Sequence, residues 1–250
     1  MPTTIYWFSG TGNSLYAAKR LADELGDTSL YSMALGVPSE AVGGAGEKIG
    51  FVFPSYYCNL PRIVRSFAEK LEIREGSYLF AIVTMGGLGQ GSVALLEAIL
   101  KQNNLHLDYG RGIHMPANYV LNYNPADHTK IEGTLDNVNK KIQHISSEIG
   151  DNLHSVKKIH FWANNLYKNT EELDLKFFAE DSCTSCGQCE KICPVSNIKI
   201  ENSKPLWLHH CEHCVACISW CPAQAIQYGE KTKTRRRYLN PKITVNEMLR

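Results

Sequence analysis

Two stretches of the 250-residue chain, CTSCGQCEKICP at 183–194 and CEHCVACISWCP at 211–222, hold eight of its nine cysteines. Each is spaced C-x2-C-x2-C-x3-C-P, and Cys183, Cys186, Cys189 and Cys193 precede Cys211, Cys214, Cys217 and Cys221 by 28 residues throughout. The likeness runs past the prolines, with CPVSNIKI (193–200) over CPAQAIQY (221–228), so the region is an internal duplication. Thiolates are soft anionic ligands suited to zinc or iron–sulfur centres. Three of them at two-residue gaps, on a loop eased by a small residue such as Gly187 in one copy and Ala216 in the other, can wrap one face of a cubane cluster. The fourth follows a longer gap and a proline holds it, so it starts a new turn and points elsewhere. Structural zinc is usually met by two separated C-x2-C pairs and has no use for this duplicated run. The pattern favours two [4Fe–4S] clusters. With every cluster position filled by cysteine, the neighbouring His209, His210 and His213 read as exposed polar residues.

A second chemical signal lies near the start. FSGTGNSLYAAKRL (8–21) joins an apolar run to a helical pattern through a turn rich in hydroxyls and glycine. Such a turn presents backbone N–H groups and Ser/Thr hydroxyls at a helix N-terminus, which suits a phosphate. No Lys follows the second glycine, which excludes a Walker loop, and Leu15 stands where a dinucleotide fingerprint needs its third glycine. A phosphate monoester fits better. Ser9, Gly10, Thr11, Gly12, Asn13 and Ser14 are the candidates to hold it.

These loops need a scaffold, and the first 150 residues supply its pattern. TIYWF (4–8), KIGFVF (48–53), YLFAIVT (78–84) and LDYGRGIHM (107–115) read as strands. SLYAAKRLADEL (14–25), PRIVRSFAEKL (61–71) and SVALLEAILKQ (92–102) alternate with them as helices. Continuous apolar strands between helices predict a parallel sheet covered on both faces. Residues 129–149 form a long amphipathic pattern, with Ile131, Leu135, Val138, Ile142, Ile145 and Ile149 on one stripe and a capping box at Thr129 and Glu132. Residues 151–177 read as a connector with one further helix around 154–168.

SGTGNS resembles the FMN-phosphate loop of flavodoxins. PSYYCNLPR (54–62) and TMGGLGQGS (84–92) fall where that family contacts the isoalloxazine ring. The resemblance covers about 1–150 and implies an α/β fold, a flavodoxin-like doubly wound five-stranded parallel sheet that binds FMN at its switch point. It adds Pro54, Ser55, Tyr56, Tyr57, Asn59, Thr84, Met85, Gly86, Gly87 and Gly89 to the cofactor-binding set, with one of the two tyrosines stacking on the ring. Two departures stand out: the 84–92 loop holds no aromatic residue, and neither ring loop holds Asp or Glu. Cys58 reads as a small residue without a redox role.

Residues 178–230 resemble bacterial two-cluster ferredoxins, a small α+β domain. In that family the fourth cysteine of each run ligates the other cluster. The resemblance therefore assigns Cys183, Cys186, Cys189 and Cys221 to one cluster, and Cys211, Cys214, Cys217 and Cys193 to the other. Together the two parts resemble the flavodoxin–ferredoxin fusion proteins of anaerobic bacteria, with a basic tail at 231–250.

Composition agrees with an intracellular, cytoplasmic protein with reduced thiols: 44% hydrophobic, 20% charged, no basic N-terminal leader pattern and no apolar run long enough to span a bilayer. The net charge of +1 conceals a division, since residues 166–230 carry nine acidic and five basic side chains while 231–250 carry one and seven. No nucleic-acid recognition module accompanies the tail. Arg235, Arg236 and Arg237 are instead expected to offset cofactor charge or to dock an acidic redox partner. The resemblance implies an electron carrier that exchanges electrons between two [4Fe–4S] clusters and FMN, joining one- and two-electron steps, with redox proteins as partners. The other reading is an FMN-dependent reductase of a small molecule, with HMPANYVLNYNPADH (114–128) closing a substrate pocket. The sequence shows no evident proton-donor constellation for it, which favours the carrier.

Overall fold

The computed structural model describes residues 1–87, 89, 91–125, 127–156 and 174–249. The helix expected around 154–168 lies almost wholly outside them. Five parallel strands alternate with helices: β1 (Thr3–Trp7), α1 (Asn13–Leu25), β2 (Thr28–Ser32), β3 (Lys48–Pro54), α2 (Arg62–Lys70), β4 (Tyr78–Met85), α3 (Gly91–Gln102), β5 (Tyr109–His114) and α4 (His128–Gly150). The sheet is wider than the expected five strands. A two-residue β6 (Ser155–Val156) pairs with Tyr109 and Gly110 at its edge, giving the order β2-β1-β3-β4-β5-β6. Two paired residues carry no strand signal of their own, so the pattern could not disclose it.

β4 is buried along its whole length and β3 as far as Phe53, while β2 alternates between half-buried and exposed positions as an edge strand does. α1 packs on α4, and α2 on α3. All six expected stripe residues of α4 are buried. Its cap differs from expectation: Asp127, not Thr129, is the N-cap, and its carboxylate accepts from the Thr129 backbone N–H at 3.1 Å. A carboxylate two residues upstream reaches the free N–H groups first. A full capping box occurs instead at Thr244 and Glu247, opening the short α7 (Val245–Met248).

The cysteine-rich part is built from two small antiparallel pairs. β7 (Phe177–Ala179) joins β10 (Ile226–Tyr228), and β8 (Ile198–Glu201) joins β9 (Lys204–Trp207). Between them lie α5 (Gln188–Ile192) and α6 (Ala216–Ser219), which pack on each other. The chain is thus a flavodoxin-like α/β unit followed by a small ferredoxin-like unit. The two share one core, because Ile192, Cys214, Ala216 and Trp220 are buried in the same cluster as the residues of β1, β3 and α1. Tyr238, Ile243 and Met248 of the tail are buried there too. No helix among the described residues is long and apolar enough to cross a membrane.

Candidate functional site

Strand order reverses at β1 and β3, the point where an open parallel sheet leaves a crevice beyond its C-terminal strand ends. A cavity of about 480 Å³ occupies that position. Of the expected cofactor-binding residues, Ser9, Gly10, Thr11, Asn13, Ser14, Pro54, Ser55, Tyr56, Tyr57, Thr84, Met85, Gly86 and Gly87 line it. Gly12, Asn59 and Gly89 stand behind the wall instead. Gly12 faces away, where a Cβ would lie 3.1 Å from Asn240 and Ile243. Asn59 closes a turn with Tyr56, and a Cβ on Gly89 would lie 2.8 Å from Met85 and Ser55.

The phosphate-loop end is neutral and polar. Ser9 Oγ accepts from Gly12 N at 3.1 Å and Ser14 N at 3.3 Å, and Ser14 Oγ meets Thr84 Oγ1 at 2.8 Å. The ring end is aromatic and open. Tyr56 packs edge-on against buried Phe8, and Tyr57 meets Tyr119 edge-on with ring centroids 5.8 Å apart. Tyr57 and Cys58 occupy the centre of a tight turn, closed by Tyr56 N to Asn59 O at 3.1 Å and Asn59 N to Tyr56 O at 2.8 Å. Both central residues are left-handed, φ 51° and 61°. Neither is the glycine or asparagine such a turn prefers, which costs about 1–2 kcal/mol per residue. The aromatic side chains missing from 84–92 come from the segment after β5, where Tyr119 and Tyr123 line the cavity beside Asn118 and Asn122. No charged residue is among the described lining residues.

Sequence reasoning missed two lining residues, Cys214 and Val215, which belong to the second cysteine window. Their backbone lies so close to the phosphate loop that a Cβ on Gly10 would come within 2.1 Å of the Cys214 carbonyl oxygen. The Trp220 indole donates to Gly10 O at 3.0 Å. Arg62, at the start of α2, holds the same window through an ion pair with buried Glu212 at 3.4 Å and bonds to the carbonyls of His210 and Cys211. The sole hint in the sequence was glycine at position 10.

The eight cysteines fall into two sets around separate small voids. Cys183, Cys186, Cys189 and Cys221 border one; Cys193, Cys211, Cys214 and Cys217 border the other. The first set lies toward solvent, with Cys186 exposed, and the second is buried throughout. Among the described residues no group of three or more His, Cys, Asp or Glu is placed to hold a single metal ion. Four thiols border each void, and the cysteine donor set is all-sulfur. Burial, with lesser help from neighbouring thiols, pushes Cys189 up to about 11, Cys211 up to about 12, and Cys214 and Cys217 well above the ordinary thiol range. A metal centre that takes these four thiols as thiolates must release their protons on binding. Backbone N–H groups already point at sulfur, Asn197 N to Cys193 Sγ at 3.1 Å and His213 N to Cys211 Sγ at 3.2 Å.

The residue that shares Gly187's place in the duplication, 28 positions on, is Val215 rather than Ala216. Gly187 and Val215 cap α5 and α6 with φ of 73° and 57°. A left-handed β-branched residue is an outlier. The histidines divide as well. His213 is buried, not exposed, and its Nδ1 lies 2.8 Å from the Tyr119 hydroxyl, which also bonds the Tyr57 hydroxyl. His209 contacts buried Asp174 at 2.8 Å, and His210 is exposed.

Residues 177–199 match the 4Fe-4S binding domain family. The match covers β7 and the first cysteine window. No curated protein matches the chain. Among solved structures, a protein described as a flavoprotein from Bacteroides uniformis ATCC 8492 is 18% identical over 54% of this chain and 97% of its own, with a TM-score of 0.36. Another so described, from Bacteroides eggerthii DSM 20697, is 20% identical over 55% and 97%, with a TM-score of 0.34. A flavodoxin from the domain Archaea is 12% identical over 60% and 99%, with a TM-score of 0.33. At these values the sheet order itself carries the fold assignment.

Proposed function

We propose that this chain is an electron-transfer protein that holds FMN in the cavity and two [4Fe–4S] clusters at the cysteine sets, in the crossed ligand pattern. The observation that carries the proposal is a shared wall. Cys214 and Val215 border both the cavity and the void of the inner cysteine set. Those two residues are common to both walls. When bound, clusters exchange single electrons and FMN exchanges one or two, so their junction joins one-electron partners to two-electron chemistry.

The chain's own residues set the direction of access. The outer set, with exposed Cys186, offers the entry edge for a redox protein. The inner set is walled by Phe177, Trp207, Val215 and Ile218, which exclude water. Phe177 and Trp207 stack with their rings 5.5 Å apart. Ser9, Thr11, Asn13 and Ser14 would hold the phosphate with neutral donors. Among the described lining residues there is no carboxylate to oppose a reduced flavin.

The experiment is anaerobic isolation, metal, sulfide and flavin analysis, and rapid-mixing reduction by a low-potential donor. Bleaching of cluster absorbance should lead flavin bleaching. Flavin reduced at full speed after both clusters are removed, or zinc in place of iron, would overturn the proposal.

One feature favours the second reading, reduction of a small molecule. Tyr57, Tyr119 and His213 form a hydrogen-bonded cluster, and both tyrosines line the cavity. Turnover of an added acceptor by the reduced protein alone, abolished by Tyr119→Phe with flavin content unchanged, would move the assignment there.

A further inference from the structure

The C-terminal tail packs behind the 9–14 loop, on the side turned away from the cavity. The phosphate loop shows Ser9, Gly10, Thr11, Asn13 and Ser14 to the cavity and turns Gly12 outward. Gly12 has φ 93°, and a Cβ there would lie 3.1 Å from both Asn240 and Ile243. Asn240 N donates to Thr11 O at 2.9 Å. The Asn13 side chain is gripped at both ends. Its Oδ1 accepts from the Tyr238 hydroxyl at 2.6 Å and from Asn240 Nδ2 at 3.1 Å. Its Nδ2 donates to Pro116 O at 3.1 Å. A backbone carbonyl can only accept, so these three bonds fix the amide in one orientation. Tyr238, Asn240 and Asn13 are 2%, 0% and 5% exposed. Burial holds the Tyr238 hydroxyl protonated, hence a donor.

The tail is also tied down on both sides of this contact. Arg235 donates to Val120 O at 2.7 Å, and Arg237 to Gln227 Oε1 at 2.7 Å and Ile226 O at 3.2 Å. Further on, Ile243 and Met248 are buried in the shared core, and Glu247 pairs with Lys19 of α1. Arg235 and Arg237 thus bind backbone carbonyls of this chain.

We propose that Tyr238 and Asn240 are positioning residues for phosphate binding: they hold the 9–14 loop in the shape that receives the FMN phosphate and keep the Asn13 carbonyl oxygen committed away from that anion. The inference rests on the FMN reading above. The physical ground is preorganisation. A loop that must aim several N–H groups at one dianion loses backbone entropy for each residue it orders on binding, and a loop already held loses less.

The test uses the full chain stripped of flavin, titrated with FMN and with riboflavin, which lacks the phosphate, while flavin fluorescence is followed. Tyr238→Phe and Asn240→Ala should each raise the FMN dissociation constant roughly five- to tenfold, the worth of one buried hydrogen bond. Riboflavin affinity should change less than about twofold on the same scale, and iron content should not change. Equal weakening of both flavins would make the tail a general stabiliser and overturn the inference; so would unchanged FMN affinity. Wild type that binds FMN no tighter than riboflavin would overturn the underlying phosphate reading, which the wild-type arm shows by itself. Should the variants misfold, wild type suffices: coupling is reciprocal, so FMN, and not riboflavin, should slow tryptic cleavage after exposed Lys242. Equal cleavage rates with and without FMN would overturn it.

Discussion

Gly10 answers to two neighbours at once. One side lines the cavity, and the other meets the Cys214 carbonyl, which a Cβ would approach to 2.1 Å. Gly10→Ala is therefore expected to push the inner cysteine set off the phosphate loop, at about 1–3 kcal/mol for forced overpacking. Denaturant unfolding measures the loss, and flavin and inner-cluster occupancy should fall together; a variant of wild-type stability with both intact would count against the shared wall. Cys221→Ser tests the crossing. It should damage the centre of Cys183, Cys186 and Cys189, although Cys221 follows the other run in sequence. Electron paramagnetic resonance reads which centre changes, and a lesion confined to the inner one would refute the crossing. The residue types were legible because duplicated spacing is a chemical constraint. Val215 and His213 were not, since left-handed geometry and burial depend on which loop comes to lie against which.

Among the elements, the helices and central strands were readable because their apolar residues recur at 3.6-residue period or as continuous buried runs. β6 and the tail were not, being short and held by polar contacts with partners far along the chain. YLNPKITVNEML carries no long stripe, yet it contributes Tyr238, Ile243 and Met248 to the core. Its last anchor responds to acid. The Lys19 ammonium first, then the Thr244 hydroxyl and N–H, bring the Glu247 carboxyl from its ordinary 4.5 down to about 2. A folded value below the unfolded one means that this contact contributes fully above about pH 4.5 and is lost as pH falls through about 2. Hydrogen exchange at the amides of 243–249 should lose protection across that window. Glu247→Gln should remove this component of the pH dependence, and an unchanged acid profile in the variant would rule the anchor out.

For the whole molecule, the two units share one core, and the proposed function makes that junction the route between the centres. Content is expected at about eight irons and one FMN per chain, and chelation should strip the exposed outer set before the inner one. Preparations that saturate at four irons would end the two-cluster assignment. On the proposed reading the 9–14 loop takes the FMN monoester and the sequence offers no dinucleotide fingerprint, so NADH or NADPH should not reduce the protein directly. Anaerobic mixing followed by absorbance checks this, and rapid bleaching without a partner protein would contradict the carrier reading.

The bond from Tyr238 to Asn13 spans 225 residues. On a ribosome the sheet, its helices and the phosphate loop all emerge long before the residues that hold the loop from behind. The contacts of Tyr238 and Asn240 with Asn13 thus form only after the tail has emerged, and loop closure over such a separation is slow. The cysteine windows lie between the two partners in sequence, so they too emerge before the tail can dock. On the proposed reading, maturation is therefore expected to run sheet first, cysteine windows next, tail and tight FMN binding last. Translation stalled before residue 238 should yield chains with a folded sheet and weak FMN retention.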